Sequence, residues 1–349
     1  MTFDPAGMPP VLLPDYPTLL TGIHVLERGP DQVQVGLDPP HGVVITGLPA
    51  ALVERIRRLD GAVATEQILL AESEHPEQLR TVLRQLTALG LVVDAGPPGA
   101  SRRRRCDAGF WSLRARHHQT ALADRRREAV IAIEGNGRIA TAVALLLANA
   151  GIGHIDLRMS DAVTEQDLGS GFTDADVGTP RRRALADLIH RVDPAIRTSR
   201  VHGLTPELVL LTDTIVPAPE LVADLVSDGV THMPVRVRDG TGLVGPLVVP
   251  GRTSCLHCAD LHCTDADPCW PRVSLQLVGR PERPDLGAAQ ACASLAVAQA
   301  MRMFSPNASA PPTWNTILEI DAYEGRIRHR SLPPHPLCPC GAGRALQEA

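Results

Sequence analysis

The period of the hydrophobic pattern changes within the first part of the chain. Between Pro10 and Pro49, apolar and β-branched residues form short runs separated by Gly, Pro and Asp, which is typical of strands joined by turns. These runs lie at residues 23–26, 33–37 and 42–45. The pattern therefore predicts three short strands before the first helix.

Helical spacing takes over after Pro49 and predicts two short helices up to residue 70. A third helix opens at His75-Pro76 and is stopped by Gly90. Its apolar positions recur at i, i+3, i+4 and i+7, and they are Leu79, Val82, Leu83, Leu86 and Leu89. With a closing strand over 91–93, this order of strands and helices predicts a winged helix-turn-helix.

The later part of the chain alternates between strands and helices. A buried-type strand at 129–133, a glycine turn and a helix at 138–150 precede a strand at 154–158. Further strands are predicted at 196–201, 207–211, 235–237, 243–249, 316–321 and 326–329, and further helices at 180–192, 219–227 and 287–304. This alternation predicts an α/β fold with a Rossmann-like, doubly wound parallel sheet.

An arginine-rich segment separates the two patterned regions. It begins at Pro97-Pro98-Gly99 and carries nine arginines between residues 102 and 127. A solvated connector is the ordinary interpretation of such a run, and a docking surface for an acidic peptide or nucleic acid is the alternative. Because 349 residues exceed the usual size of one core, we predict a winged-helix domain over 1–95, a basic linker over 96–128 and an α/β domain over 129–349.

Composition and charge narrow the classes of function. Hydrophobic residues make up 44% of the chain, and the formal net charge of −5 argues against a polybasic surface for nucleic acid. All 34 basic residues are arginine, which excludes a P-loop lysine and a Schiff-base lysine. No secretory signal is visible at the N-terminus, and the apolar stretch 139–155 is too interrupted to span a membrane. We therefore expect a cytoplasmic protein.

Cysteine spacing gives the strongest chemical signal. Cys255 and Cys258 form a C-x-x-C pair, and Cys338 and Cys340 form a C-x-C pair. Four thiolates complete a tetrahedral zinc site with no open position, so the pairs predict a structural zinc ion. Both pairs follow turn residues, which places them on loops. Four other residues are possible substitute ligands: Cys263, Cys269, His262 and His335.

A glycine turn at residues 135–140 matches the pattern G-x-G-x-x-A between a strand and a helix. Glycines at these positions let phosphates approach backbone amides at a helix N-terminus. A dinucleotide enzyme also needs an acidic residue at the end of the second strand, where this chain has Arg158 and Met159. The sequence therefore predicts a mononucleotide-type fold and weakens a dehydrogenase interpretation.

From residue 127 onward, the order of motifs resembles the ThiF/MoeB/HesA and ubiquitin-activating superfamily. The resemblance rests on the strand from Ile131 and on residues 149–153, 161–163, 177–181, 212–213 and 255–258. More narrowly, residues 245–258 and 335–340 look like the ThiF-like proteins of bacteriocin cyclodehydratase systems, which make azoline and azole rings in ribosomal peptides. In that family the N-terminal winged helix is a RiPP recognition element, similar to PqqD, that captures the leader peptide of a precursor as an added strand.

Departures from the adenylating members of this superfamily bear on mechanism. The alignment retains the nucleotide-site positions Gly135, Gly137, Asp161 and Asp213, and places Arg181 in the slot of a lysine. The ribose aspartate falls on Met159, and an Asn-x-x-Arg-Gln stretch falls on residues 167–171. Since adenylation needs cations around the triphosphate, we expect a degenerate ATP site and no catalytic residue. Asp161 and Asp213 are either remnants of that site or capping residues.

The resemblance implies a leader-peptide-binding partner of a YcaO-type cyclodehydratase. The candidate peptide-binding residues are Val43, Val44 and Ile45 on a strand edge and Leu79, Val82 and Leu86 on the third helix, although the leucines taken singly fit ordinary core packing. An active ThiF-like adenylyltransferase and a winged-helix DNA-binding regulator are the alternatives. The net negative charge of residues 49–95 argues against the regulator. A homodimer is expected only by analogy with the fold.

Overall fold

The structure is a computed structural model that describes residues 12–20, 22–29, 32–37, 42–95, 111, 119–200, 203, 205–305 and 310–345. The chain divides into two compact units. Residues 1–124 with 305–307 form the first, and residues 125–304 with 308–349 form the second. The linker predicted over 96–128 lies outside the described residues, except for Trp111 and for its last part from 119 onward, which is helical.

The first unit has the predicted order of strands and helices, preceded by one strand, β1, that was not predicted. Its elements are β1 (Pro17–Leu19), β2 (Val25–Gly29), β3 (Gln32–Val35), β4 (Val43–Thr46), α1 (Ala50–Arg57), α2 (Thr65–Leu70), α3 (Pro76–Ala88) and β5 (Val92–Asp94). Strands β2, β3 and β4 form an antiparallel sheet in that order, and β1 pairs with β5. Because β4 is the last strand of its sheet, one of its edges is unpaired among the residues that the structure describes.

The core of the first unit is built from aliphatic side chains of all three helices and of the strands. Leu52, Ile56, Leu79, Leu83 and Leu86 are fully buried there. The i, i+3, i+4, i+7 spacing of α3 puts its leucines on one face, and that face packs into the core. The unit therefore has a hydrophobic centre of its own.

The second unit is centred on a mixed seven-stranded sheet. Helix α4 (Gln119–Glu128) contains the division between the units, after Asp124. The other elements of the second unit are β6 (Val130–Glu134), α5 (Arg138–Ala150), β7 (His154–Arg158), α6 (Arg181–Val192), β8 (Leu208–Thr212), α7 (Pro219–Ser227), β9 (His232–Arg238), β10 (Thr241–Val244), α8 (Leu256–Ala266), α9 (Trp270–Leu275), α10 (Leu286–Met303), β11 (Thr316–Asp321), β12 (Arg326–Ser331) and α11 (Ala342–Ala345). The strand order is β12-β11-β10-β9-β8-β6-β7.

The α/β class is confirmed, and the predicted parallel sheet forms one half of a larger mixed sheet. Strands β7, β6, β8 and β9 pair in parallel, whereas β10, β11 and β12 continue the sheet by antiparallel pairing. Short connections explain the change, because only two residues separate β9 from β10 and a parallel neighbour needs a long crossover. The antiparallel half lies away from the glycine turn.

Three predictions of local structure need correction. Residues 196–200 make one isolated bridge, between Arg197 and His154, instead of a strand. The strand predicted over 243–249 ends at Val244. Helices α8 and α9 were not predicted, because Pro271, three cysteines and several acidic residues in this region interrupt the apolar period of a helix. Within the described residues, no helix is long and apolar enough to cross a membrane.

Candidate functional site

A cleft of about 650 Å³ opens at the carboxyl ends of the parallel strands in the second unit. This is where α/β sheets usually bind ligands. All five residues predicted for a nucleotide site line it: Gly135, Gly137, Asp161, Arg181 and Asp213. Met159, at the end of β7, lines it as well. The topology thus brings the candidate positions together in one cavity.

Asp213 leaves β8 in a left-handed conformation and turns its side chain toward the first turn of α5. Its Oδ1 accepts a hydrogen bond from the amide of Ile139 at 3.0 Å, and its Oδ2 accepts one from Ala140 at 2.9 Å. The residue is only 3% exposed. Burial raises the pKa of the Asp213 carboxyl, and the amide donors lower it. Asp213 is therefore a capping residue of α5, one of the two roles considered from the sequence.

The glycines of the turn are explained by this close approach of the chain to itself. A Cβ on Gly137 would lie 2.4 Å from Oδ1 of Asp213, and one on Gly135 would lie 2.1 Å from Oγ1 of Thr212. Gly135 also has a φ of +154°, a conformation that favours glycine. The G-x-G pattern in this chain is thus required by packing against β8, whether or not a nucleotide binds.

We expect Gly137→Ala to lower the free energy of unfolding by about 2 kcal/mol or more, because the methyl group would force the buried Asp213 carboxylate off the α5 amides. Denaturant unfolding followed by circular dichroism measures the change. Gly343→Ala is the matched control, since no atom lies within 4 Å of its new Cβ. Equal stability of the two variants would contradict the packing explanation.

Arg181, in the slot of the lysine, is bound within the protein. Its Nη2 donates to Oδ2 of Asp167 at 2.7 Å, and its Nη1 donates to the carbonyl oxygen of Ser160 at 2.8 Å. The side chains of Arg181 and Asp167 are 6% and 9% exposed. The same Asp167 oxygen accepts hydrogen bonds from the amide and hydroxyl of Thr164. The guanidinium is therefore part of a buried network at one wall of the cleft.

Other arginines of the cleft are also engaged. Arg138 donates to the carbonyl oxygens of Leu168 and Pro284, both at 3.1 Å, and Arg158 pairs with Asp156 at 3.0 Å. Glu134 lines the same cavity, and burial raises the pKa of its carboxyl while Arg158 lowers it. A carboxyl group here reduces the attraction of the cleft for polyphosphate.

The four predicted zinc ligands form two pairs that are about 80 positions apart in sequence. The fold brings the two pairs together in the second unit. Cys255 lies directly before α8, Cys258 is in its first turn, and Cys338 and Cys340 come from the C-terminal segment. The Sγ atoms of Cys255 and Cys258 are 3.8 Å apart, those of Cys255 and Cys338 3.6 Å, and those of Cys258 and Cys340 3.7 Å. The first pair therefore belongs to a helix N-terminus, where the sequence had suggested a loop.

This geometry fits a tetrahedral metal site and excludes disulfides between these pairs. Four sulfurs about 2.3 Å from a zinc ion form a tetrahedron with edges of about 3.8 Å, whereas bonded sulfurs are about 2.0 Å apart. The hydrogen bond between Cys255 and Cys258 raises the pKa of Cys255 and lowers that of Cys258 to about 4, and burial raises the pKa of Cys338 to about 12. Without a cation these thiols therefore resist ionising together, and a zinc ion would supply the compensating charge.

The proposed substitute ligands have other roles. The amide of Leu337 donates to Nδ1 of His335, so Nε2 carries the proton and donates to Asp265 at 2.8 Å. Nε2 of His262 hydrogen-bonds the carbonyl of Pro333 at 2.9 Å. Together these bonds hold the segment that precedes Cys338 against α8. Cys263 and Cys269 are not part of the four-sulfur cluster.

In the first unit, β4 presents an open edge beside α3. Among the described residues, only β3 makes backbone hydrogen bonds with Val43–Thr46. Gln78 of α3 donates to the carbonyl of Gly47 at 2.9 Å, which fixes the helix near the end of β4. Val43 and Ile45 are partly buried against the core, and Val44 is exposed. Among the described residues, β4 thus has one unpaired edge, and the start of α3 lies near the end of the strand.

The helical half of the predicted peptide site lies deeper than expected. Leu79 and Leu86 are fully buried, and Val82 is 4% exposed. These side chains therefore lie within the core instead of facing a ligand. Gln78, Gln85 and Leu89 are partly exposed and share the face of α3 that includes Val82, so they are the accessible positions. The apolar period of a helix identifies its buried face, so it could not identify these partly exposed residues.

Comparison with known proteins identifies a family for the sequence and solved structures with a similar fold. The sequence matches the ThiF family over residues 113–340. No curated protein matches the sequence significantly. Solved structures with similar folds include MccB and PaaA. The microcin C7 biosynthetic enzyme MccB in complex with N-formylated MccA superposes with a TM-score of 0.67 and 16% identity, over 93% of this chain and 99% of that one.

Two other structures are similar to the same degree. E. coli MccB with ATP gives a TM-score of 0.66 and 16% identity, over 93% of this chain and 99% of MccB. Selenomethionine-labelled PaaA gives 0.64 and 17%, over 89% of this chain and 98% of PaaA. At these identities the similarity establishes the fold.

Proposed function

The chain belongs to the ThiF family, and from this premise we propose that it is a leader-peptide-binding partner protein in the biosynthesis of a thiazole- or oxazole-modified ribosomal peptide. In this proposal the first unit is a winged-helix recognition element, and the second is a zinc-stabilised scaffold. A YcaO-type cyclodehydratase would carry out the ATP-dependent ring formation on the peptide that this chain presents. In this proposal the chain acts in the cytoplasm, where the precursor peptide would be modified.

The observation that carries the proposal is the open edge of β4 beside α3. An extended peptide can add a strand there, because the edge has free donors and acceptors and the neighbouring helix offers side-chain contacts. The backbone that pairs with the peptide would be that of Val43, Val44 and Ile45. The side chains beneath the peptide would be those of Leu79, Val82 and Leu86. MccB, which has a similar fold, has been crystallised with the MccA peptide, and this supports a peptide as the ligand class.

The direct experiment uses the full-length protein and the labelled precursor peptide encoded beside its gene. Fluorescence anisotropy should give a saturable Kd in the micromolar range, as peptide capture by strand addition normally does. A peptide lacking the leader and retaining the core sequence is the control. Absence of binding up to about 100 μM peptide would refute the proposal.

An ATP-dependent adenylyltransferase is the second candidate function. It is favoured by the cleft around the glycine turn and by the similar structure of MccB with ATP. In such an enzyme, Gly135, Gly137, Asp161, Arg181 and Asp213 would surround the nucleotide. The internal ion pair of Arg181 with Asp167 argues against it, because this guanidinium is not free to neutralise a triphosphate.

We expect no ATP–pyrophosphate exchange above background from the purified protein, with or without the precursor peptide. The internal pairing of Arg181 leaves the phosphate region without its main cation. MccB is assayed in parallel as the control for the method. Exchange by this protein at a rate comparable with that of MccB would establish the second candidate instead.

A further inference from the structure

A second group of metal-binding side chains lies beside the four cysteines in the second unit. It consists of His262 and Asp265 on α8 and of His335 in the segment that leads to Cys338, and their ligand atoms all lie within 4.8 Å of one another. We propose that these three side chains form a second metal site, for a divalent transition-metal ion such as zinc. The proposed function assigns no role to them, so the site stands independently of it.

Two of the three ligands share one face of α8. His262 and Asp265 are three residues apart, so their side chains are neighbours on the helix surface. The third ligand, His335, comes from a distant part of the chain. Its ring centroid is 4.8 Å from that of His262, and its Nε2 is 2.8 Å from Oδ2 of Asp265. The fold thus assembles this group from the same two segments that supply the cysteine pairs.

The hydrogen bond of His262 leaves one of its ring nitrogens available to a metal. A carbonyl oxygen only accepts, so Nε2 of His262 carries the proton that it donates to Pro333 at 2.9 Å. Nδ1 of the same ring then holds the lone pair that a metal ion needs. Metal-binding histidines usually donate their second ring N–H to a carbonyl or a carboxylate in this way, which fixes the orientation and the tautomer of the ring.

Between His335 and Asp265 a metal ion would replace a proton. Nε2 of His335 donates to Oδ2 of Asp265, and the ion would instead bind both atoms. The ring proton would then move to Nδ1, which accepts a hydrogen bond from the amide of Leu337 at 3.2 Å. Because Leu337 is 77% exposed, water can replace that bond. Metal binding therefore costs one long hydrogen bond and no buried donor.

The donor set favours a transition-metal ion and leaves the ion accessible. Two imidazoles and a carboxylate suit zinc, whereas calcium and magnesium prefer sites built from oxygen atoms. Three protein ligands leave a fourth position open, in contrast to the closed site of four cysteines. The side chain of Asp265 is 66% exposed and that of His335 is 3% exposed, so the open position faces solvent on the Asp265 side.

The two sites are adjacent but chemically distinct. The backbone amide of His335 donates to the sulfur of Cys258, whereas the side chain of His335 contacts Asp265. One segment thus contributes to both sites. Nitrogen and oxygen ligands give a bound metal ion a different spectrum from thiolate ligands, so occupancy of the two sites can be followed separately.

Cobalt titration of the full-length protein without an affinity tag tests the proposal. Dialysis against a mild chelator empties the open site and leaves the closed site filled, so the protein starts with about one zinc ion per chain. We expect a second equivalent of metal, Co²⁺, to bind saturably and to lack the near-ultraviolet thiolate band that exchange into the cysteine site would produce. Tm should rise over the same range of concentration. Absence of a second equivalent up to about 100 μM free Co²⁺ would overturn the proposal.

Two variants remove a ligand and keep its hydrogen bond. Asp265→Asn retains an oxygen that accepts from His335, and His262→Gln retains a donor for the carbonyl of Pro333, so both should fold and keep the first zinc ion. Each should weaken binding of the second ion by about tenfold or more. His329→Ala is the matched control, because His329 is exposed on β12 and outside both groups, and it should bind as the wild type does. Wild-type affinity for the second ion in both ligand variants would also overturn the proposal.

Discussion

Replacing Cys258 by serine is expected to remove the bound zinc and to lower Tm by about 10–20 °C. Cys255 and Cys338 are 83 positions apart, and cross-linking a loop of this length stabilises a fold by about 4–5 kcal/mol through chain entropy. In a unit of this size each kcal/mol corresponds to about 2–4 °C. Cys258 is fully buried, so its serine hydroxyl would also lack solvent.

The loss of stability should extend beyond the cysteines, because the four-cysteine cluster is part of the hydrophobic core. Cys255 and Cys258 pack with Ala132 of β6, with Val209 of β8 and with Leu225 of α7. The C-terminal cysteines are held to this region through their sulfurs and through the His335–Asp265 pair. Without the metal, we expect the segment from residue 332 onward to detach first, because the described part of it contains only one short helix.

Elemental analysis and thermal unfolding check this prediction together. The wild-type protein should contain about one zinc ion per chain, and the Cys258→Ser variant close to none. Cys269→Ser is the control, because Cys269 is exposed and outside the cluster, and it should change neither quantity. Full zinc content in Cys258→Ser would contradict the four-cysteine assignment.

The second large effect is expected on the peptide side of the proposed complex. If the leader pairs with β4 as an added strand, only every second backbone amide of the peptide faces β4. N-methylation of those residues should weaken binding by about tenfold or more each, because a hydrogen bond is lost and a methyl group enters the interface. N-methylation of the alternate residues should have a much smaller effect. Anisotropy with a set of singly methylated peptides measures the pattern.

A protein variant complements the peptide scan. Gln85→Trp should block the proposed peptide site, because Gln85 lies two helical turns beyond Gln78, which contacts the end of β4. We expect a loss of affinity of about tenfold or more from this steric conflict. Gln67→Trp makes the same change at an exposed position of α2 and serves as the control. Equal losses from both variants, or a methylation pattern without a period of two, would argue against strand addition.

Local patterns were sufficient for most of the fold. Helix α5 spans Arg138–Ala150 as predicted, because a glycine turn begins it and Gly151 ends it in a left-handed conformation. Strands β7 and β11 and helix α7 also have the predicted bounds. The pattern was insufficient for α8, which begins within the predicted C-x-x-C loop, and for 196–200, where only Arg197 bridges to β7 and the pairing does not continue.

The sequence by itself indicated the two kinds of architecture and the four cysteines that the structure brings together, through period and spacing, which are local properties of the chain. Its motifs resemble the ThiF superfamily, and the family match confirms that resemblance. Only the tertiary structure decided what the candidate groups contact. It brings Asp213 to α5 and Asp167 to Arg181, and it buries Leu79 and Leu86. The physical reason is that burial and hydrogen-bond partners depend on elements distant in sequence, so a residue type can indicate a chemical role while its neighbours in space determine whether that role is open to it.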